Sequence, residues 1–467
     1  MKFRFIAPFF FASVLSACSG GGMATPAAPA AKLAAAKTLS AVRAPATELD
    51  RAQRSRLDTG VSPYPLSALA WPLSALAWPL SALAWTGTGP VSDTWACGSK
   101  GNGADCKSHI NVTPGVFNPD PNAAPSAIAG VQPGLLSQIY NLPDKGGDGQ
   151  TIALIVAYDN PNAESDLAIY RNTFGLSACT SLNGCFSKIA GSGSQLPTPD
   201  ANWSVESSLD LDAVSAACQK CNIMLVEAAS NQIPDLAAAV DTAVAKGATV
   251  VSNSYGVAEA ADNAAYAPHF VHPGVPIVAA AGDVGYGVQF PAAVPTVTAV
   301  GGTRVEQLGN NAVQEIVWSQ TGSGCSQFFA KPAWQTDTGC AGRTVNDIAL
   351  LADPADGLAV YDSTLPGTTN GGWSVIGGTS MSTPLIASMF AIGSKHGRMA
   401  TNASIYAAAA NIASGDLKKH RDPSLLSIVG GSNGTCSVTY LCTGVAGYNG
   451  PTGNGVPWGT AAFAGNE

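Results

Sequence analysis

From about residue 130 onward, short continuous apolar runs alternate with stretches of helical periodicity. Gln150–Tyr158 (Gln-Thr-Ile-Ala-Leu-Ile-Val-Ala-Tyr) reads as a buried strand, as do Ile223–Val226, Thr249–Ser252, Pro276–Ala281 and Thr296–Val300. Asp166–Phe174 and Asp235–Lys246 read as helices between them. Strands that are apolar on both faces and separated by helices predict a parallel sheet covered on both sides. One α/β domain over 129–467 accommodates them. Two further helices are expected. Trp203–Ala217 carries Val205, Leu209, Ala213 and Ala216 at helical spacing, and Leu385–Ile392 is apolar enough to be buried all round.

Before residue 130 the pattern is different. Met1–Arg4 is basic and Phe5–Val14 is apolar, followed by Leu15-Ser16-Ala17-Cys18. This resembles a bacterial lipoprotein signal, implying removal of 1–17 and lipidation of Cys18. The apolar run is too short for a permanent membrane helix. Residues 18–128 are expected to form a low-complexity tether, rich in Gly, Ala, Pro and Ser in its first part. Within it Pro-Leu-Ser-Ala-Leu-Ala-Trp occurs three times, at 65–71, 72–78 and 79–85. A proline every seven residues argues against one continuous helix, so the repeat reads as a spacer. An aromatic contact stripe through Trp71, Trp78 and Trp85 is the alternative.

Eleven cysteines leave ten once Cys18 is set aside. They fall into local pairs: Cys97/Cys106, Cys179/Cys185, Cys218/Cys221, Cys325/Cys340 and Cys436/Cys442. An even set of close pairs in an exported chain reads as disulfides. No second Cys-x-x-Cys or histidine pair completes a zinc site around Cys218 and Cys221. Only 12% of residues are charged and the net charge is −8. With lysines and arginines few and unclustered, nucleic acid is excluded as a partner.

The candidate chemistry centres on Gly377-Gly378-Thr379-Ser380-Met381-Ser382-Thr383-Pro384, a glycine turn running into the apolar helix. A serine at a helix N-terminus has backbone N–H groups and the dipole available to a developing oxyanion. A nucleophilic serine needs a base. None of the five histidines (His109, His269, His272, His396, His420) has an orienting acid beside it in sequence, so all five read as surface residues. Carboxylates are the better candidates. Glu206 and Asp210 stand four apart on one helical face, where two carboxyls in a half-buried site would share a proton. Asp283 follows the apolar strand Pro276–Ala281, at the strand end where α/β sheets place their sites.

Together these motifs resemble the sedolisins, the serine-carboxyl peptidases with a subtilisin-like fold. The resemblance implies Ser380 as nucleophile, Glu206 as base, Asp210 as its partner and Asp283 as oxyanion donor. It also implies that Ser252-Asn253-Ser254-Tyr255-Gly256 lines the substrate, with Ser252, Ser254 and Gly256 as contact positions. Asp58-Thr59-Gly60 and Asp159 imitate the subtilisin aspartate without a histidine to orient.

Two departures stand out. The family commonly holds calcium near its C-terminus through two aspartates, and the matching positions here are Ser427-Ile428 and Asn449. Without those carboxylates weak calcium binding or none is expected, and no other cofactor. The long folded propeptide of the family has no counterpart in 18–128, which leaves self-inhibition unexplained. The expected protein is an exported, monomeric endopeptidase acting on proteins or peptides in acid, either anchored to a membrane through Cys18 or extracellular. The alternatives are a tripeptidyl-type exopeptidase and a non-catalytic peptide-binding surface lipoprotein.

Overall fold

The computed structural model describes residues 91–97, 103–307, 313–394, 399–413 and 424–465. The signal segment, Cys18, Asp58 and the Trp repeats lie outside these residues. Among the described residues, no helix is long and apolar enough to cross a membrane.

The core is an eight-stranded sheet. Its strands run in the order Val313–Val317, Val297–Gln307, Ile277–Ala280, Val250–Asn253, Thr151–Ala157, Asn222–Ala228 and Phe186–Ala190, and Ile348–Leu351 also pairs with Val297–Gln307. All pairings are parallel except that of Val313–Val317. The apolar runs read from the sequence are these strands, and their side chains are buried, as double coverage requires.

Ala201–Ala217 is a helix capped by the Asp200 carboxylate, which accepts from the N–H groups of Asn202 and Trp203. Every residue from Trp203 to Ala217 is buried, the carboxyls of Glu206, Asp210 and Asp212 included. A solvated acidic face is thereby excluded. Thr379–Gly393 is a second interior helix, buried along its length except at Ile392. It contains Pro384, whose missing N–H leaves the carbonyl of Ser380 without its helical partner.

The five expected disulfides are formed. The domain boundary expected at 128 needs correction, because residues 91–97 and 103–128 belong to the folded body. Asp93–Trp95 pairs with His109–Asn111, which pairs in turn with Gly372–Gly377. Asp105–Cys106 pairs with Tyr255–Ala258. These strands are two or three residues long, and Asp105–Cys106 and His109–Asn111 find partners more than 100 residues away, so no local periodicity announces them.

Candidate active site

Gly378 turns the chain from the strand Gly372–Gly377 into the helix Thr379–Gly393, with φ at +101°, a conformation that glycine adopts readily. A Cβ there would lie 2.1 Å from the carbonyl oxygen of Lys107 and 2.7 Å from Asp283 Oδ2. The absence of a side chain at 378 lets the Lys107 carbonyl and Asp283 Oδ2 both come close to the turn. Ser380 is wholly buried beside it. Its hydroxyl donates to the carbonyl of Ser254 at 2.9 Å and accepts from the N–H of Lys107 at 2.9 Å.

Behind Ser380 stand the two carboxyls of the Ala201–Ala217 helix. Burial pushes the pKa of Glu206 up. The hydroxyls of Ser108 and Ser380 pull it partly back, although neither carboxyl oxygen of Glu206 has a hydrogen bond of ordinary geometry. Burial also raises Asp210, and the charge of Glu206 raises it further, so the pair favours holding a proton. Ser254 ties the two halves of the site together. Its hydroxyl donates to Asp210 Oδ1 at 2.7 Å and lies 3.5 Å from the Ser380 carbonyl that Pro384 leaves open.

Asp283 faces Ser380 from the other side. Its Oδ1 accepts from the N–H of Thr379 at 3.0 Å and from the Thr379 hydroxyl at 2.6 Å. Its Oδ2 is buried without a hydrogen bond and lies against Gly378, on the side where the Lys107 carbonyl sits. Burial raises its pKa, against the pull of His109. A protonated Asp283 would carry its hydrogen on Oδ2, on the side of the Gly378 turn.

Of the three expected substrate-contact positions, Ser254 and Gly256 line this cleft. Ser252 sits further back inside the sheet, paired with Leu154 and Val278. Asp159 lies elsewhere and holds Lys188 at 2.6 Å.

Sequence reasoning missed residues 103–109. Their backbone runs through the cleft, antiparallel to Ser254–Gly256, with Cys106 opposite Tyr255 and Asp105 opposite Gly256. The N–H of Lys107 donates to the Ser254 carbonyl at 3.1 Å, and its own carbonyl accepts from the N–H of Ser380 at 2.8 Å. Ala104 exchanges hydrogen bonds with Asn231, whose backbone carbonyl accepts at 2.8 Å and whose side-chain amide donates at 2.9 Å. Nor is His109 a surface residue. It is 1% exposed, with Nδ1 2.5 Å from Asp93 and Nε2 3.5 Å from Asp283 Oδ2, and Trp95 covers it at 4.2 Å between ring centroids. The acid that orients it lies 16 residues back in a segment that reads as loop. His269 and His272 both pair with Asp241, away from the site. His396 and His420 lie outside the described residues.

The residues at the expected calcium position do not fit a hard cation. Asn449 donates its amide to the carbonyls of Ile428 at 3.2 Å and Val445 at 3.1 Å. Its Oδ1 accepts from the N–H and hydroxyl of Thr452. The Ser427 hydroxyl is engaged with Gly447. Amide hydrogens thus occupy carbonyl lone pairs that a calcium ion would need.

Comparison with known proteins agrees with this architecture. The family model for the Subtilase family matches residues 187–430, just over half the chain. Kumamolisin of Bacillus sp. (strain MN-32) is 34% identical over 310 residues, covering 58% of this chain and 52% of kumamolisin. Xanthomonalisin of Xanthomonas sp. (strain T-22) is 30% identical over 125 residues, covering 23% of this chain and 14% of that protein. The chain thus spans about half the length of kumamolisin. The solved structure of Pseudomonas sedolisin, a serine-carboxyl proteinase complexed with pseudo-iodotyrostatin, matches with a TM-score of 0.56 at 22% identity. That match covers 71% of this chain and 95% of that one, and it shows the shared fold. The chain belongs to the subtilase family and, within it, to the sedolisins.

Proposed function

We propose that this protein is an exported serine-carboxyl endopeptidase that hydrolyses peptide bonds in acid. Ser380 Oγ attacks the carbonyl carbon while Glu206, backed by Asp210, takes the hydroxyl proton and returns it to the leaving amine. The N–H of Ser380 and the protonated Oδ2 of Asp283 hold the oxyanion. A water then repeats the sequence on the acyl-enzyme. High pH strips the carboxyl protons on which both the dyad and Asp283 depend, which confines the reaction to acid.

One observation carries this reading: a backbone carbonyl, that of Lys107, rests on the N–H of Ser380 beside Asp283, with the serine hydroxyl on the same residue's N–H. The cleft is built to hold an extended peptide with a carbonyl at the nucleophile. It also favours an endopeptidase over a tripeptidyl peptidase. The bound backbone runs on beyond three residues before the Lys107 carbonyl, through Ala104 to Gly103.

Replacing Ser380 by Ala should lower casein hydrolysis at acidic pH by about 10³-fold or more. Full activity in that variant would eliminate the mechanism, and inactivity of the parent chain at every acidic pH would favour a peptide-binding lipoprotein. The disulfides support export. Anchoring at Cys18 belongs to the same proposal, and Cys18→Ser should move the protein from the membrane fraction to the soluble one.

A further inference from the structure

Asp283 sits on an irregular stretch, residues 281–288, between the strands Ile277–Ala280 and Gln289–Phe290, and its neighbour Val284 faces solvent. The ladder of the central sheet ends just before it, with Val300 opposite Ala280. A group that must meet a developing oxyanion has to be held to within about 0.5 Å. Residues 320–323 do the holding. The N–H of Gly322 donates to the Gly282 carbonyl at 2.6 Å, that of Gly285 to the Gln320 carbonyl at 2.8 Å, and that of Gly287 to the Ser323 carbonyl at 2.8 Å. A Cβ at Gly322 would fall 2.0 Å from the Ala281 carbonyl oxygen, so backbone lies directly on backbone.

Residues 320–323 are held in turn by one buried asparagine. Asn433 Nδ2 donates to the Thr321 carbonyl at 2.6 Å and to Ser323 Oγ at 2.8 Å. Ser323 Oγ gives its own hydrogen to the Leu441 carbonyl at 2.7 Å. Both groups facing the amide are therefore acceptors, and its nitrogen is the end that must face them. The backbone carbonyl of Asn433 accepts from the N–H of Tyr286 at 2.7 Å, three residues beyond Asp283. Its N–H donates to the carbonyl of Cys442, which is joined to Cys436. One residue thus grips the stretch carrying Asp283, the segment behind it and a disulfide-closed turn.

We infer that Asn433 is a positioning residue for the oxyanion step, holding Asp283 against Ser380 through residues 320–323 and Tyr286. This rests on the peptidase reading above. Without the amide, the Thr321 carbonyl loses its donor and the stretch 281–288 is free to shift outward, away from the forming oxyanion. Substrate binding is spared, because Ser254–Gly256 is tied to Asp210 and Ser380 rather than to this segment. The charged groups acting on Asp283 are His109, Lys107 and Glu206, and none of them lies on 320–323 or at 433. Their influence stays, while water gains access. A carboxyl let into water holds its proton less tightly, so Asp283 stops donating at a lower pH.

The test compares the full chain with Asn433→Ala and Asn433→Leu, the second keeping the shape without the donor and adding no titrating group. Hydrolysis of a quenched peptide is followed from a pH of about 4 upward. In both variants kcat should fall about tenfold with KM within about twofold, and the alkaline limb of the kcat profile should move down by roughly half a pH unit. In an Asp283→Ala chain, where no donor is left to place, Asn433→Ala should cost nothing further. A purely structural role would lower kcat by the same factor in both chains and leave the limb where it is. Melting curves report whether the variants fold. If neither does, Ser323→Ala, which cuts one tie only, is read by the same measures with a loss of about threefold. An active parent chain whose variants keep normal kcat, or lose it equally with and without Asp283, overturns the positioning role while sparing the peptidase. Inactivity of every form, together with no labelling of Ser380 by a covalent serine probe, overturns both.

Discussion

At the scale of single residues, the division of labour between the two oxygens of Asp283 is the most informative detail. Oδ1 accepts from both donors of Thr379, so a proton on this carboxyl belongs on Oδ2, beside the carbonyl resting on Ser380. Replacing Asp283 by Ala removes that donor and should lower kcat by about 10²- to 10³-fold, the usual loss for one oxyanion-hole donor, with little change in KM. Asp283→Asn keeps a donor that does not titrate. It should therefore recover part of the rate and carry activity further toward neutral pH. An Ala variant with normal kcat would remove Asp283 from the chemistry. Ser380, Glu206, Asp210 and Asp283 were legible because each stands in a short motif with a physical reason for its residue type. His109 was not. Its burial depends on Trp95, Trp318 and Asp93 arriving from separate segments, and nothing in its own neighbours announces that.

At the scale of elements, the sheet was readable because strands buried on both faces must be apolar throughout. The helix Ala201–Ala217 was harder to place. Its apolar and acidic residues are buried together, so the side carrying Glu206 and Asp210 looks solvent-facing until the helix Thr379–Gly393 is packed against it. The hairpin formed by Asp93–Trp95 and His109–Asn111 was illegible for a plainer reason. Three-residue strands carry no period, and the surrounding Gly, Asn and Pro mark the region as loop. The C-terminal segment shows an element whose chemistry was exchanged. Where relatives of this family commonly place a cation between carbonyls and carboxylates, the Asn449 amide here bridges Ile428 and Val445. Dialysis against a chelator should accordingly leave both melting temperature and acid activity unchanged. A clear drop in melting temperature that added calcium restores would show that this region does hold the ion.

At the scale of the whole molecule, burial raises the pKa of many carboxyls beyond those around Ser380. Asp166 is pushed up to about 6, Glu315 and Asp356 to about 7, and Glu227 to about 8. Each binds its proton more tightly in the folded chain than in the unfolded one, where carboxyls titrate near 4. Between those limits the native state holds more protons, so stability falls as pH rises. The melting temperature should be highest near pH 4 and drop by on the order of 10 °C by pH 8. A scan that rises over that interval would contradict the burial pattern.

The interior acids also tie the lifetime of the protein to its surroundings. A molecule that drifts from an acidic zone into neutral fluid would lose the hydrogens its core is built around. The pH range over which it stays folded is thus bounded by the medium itself.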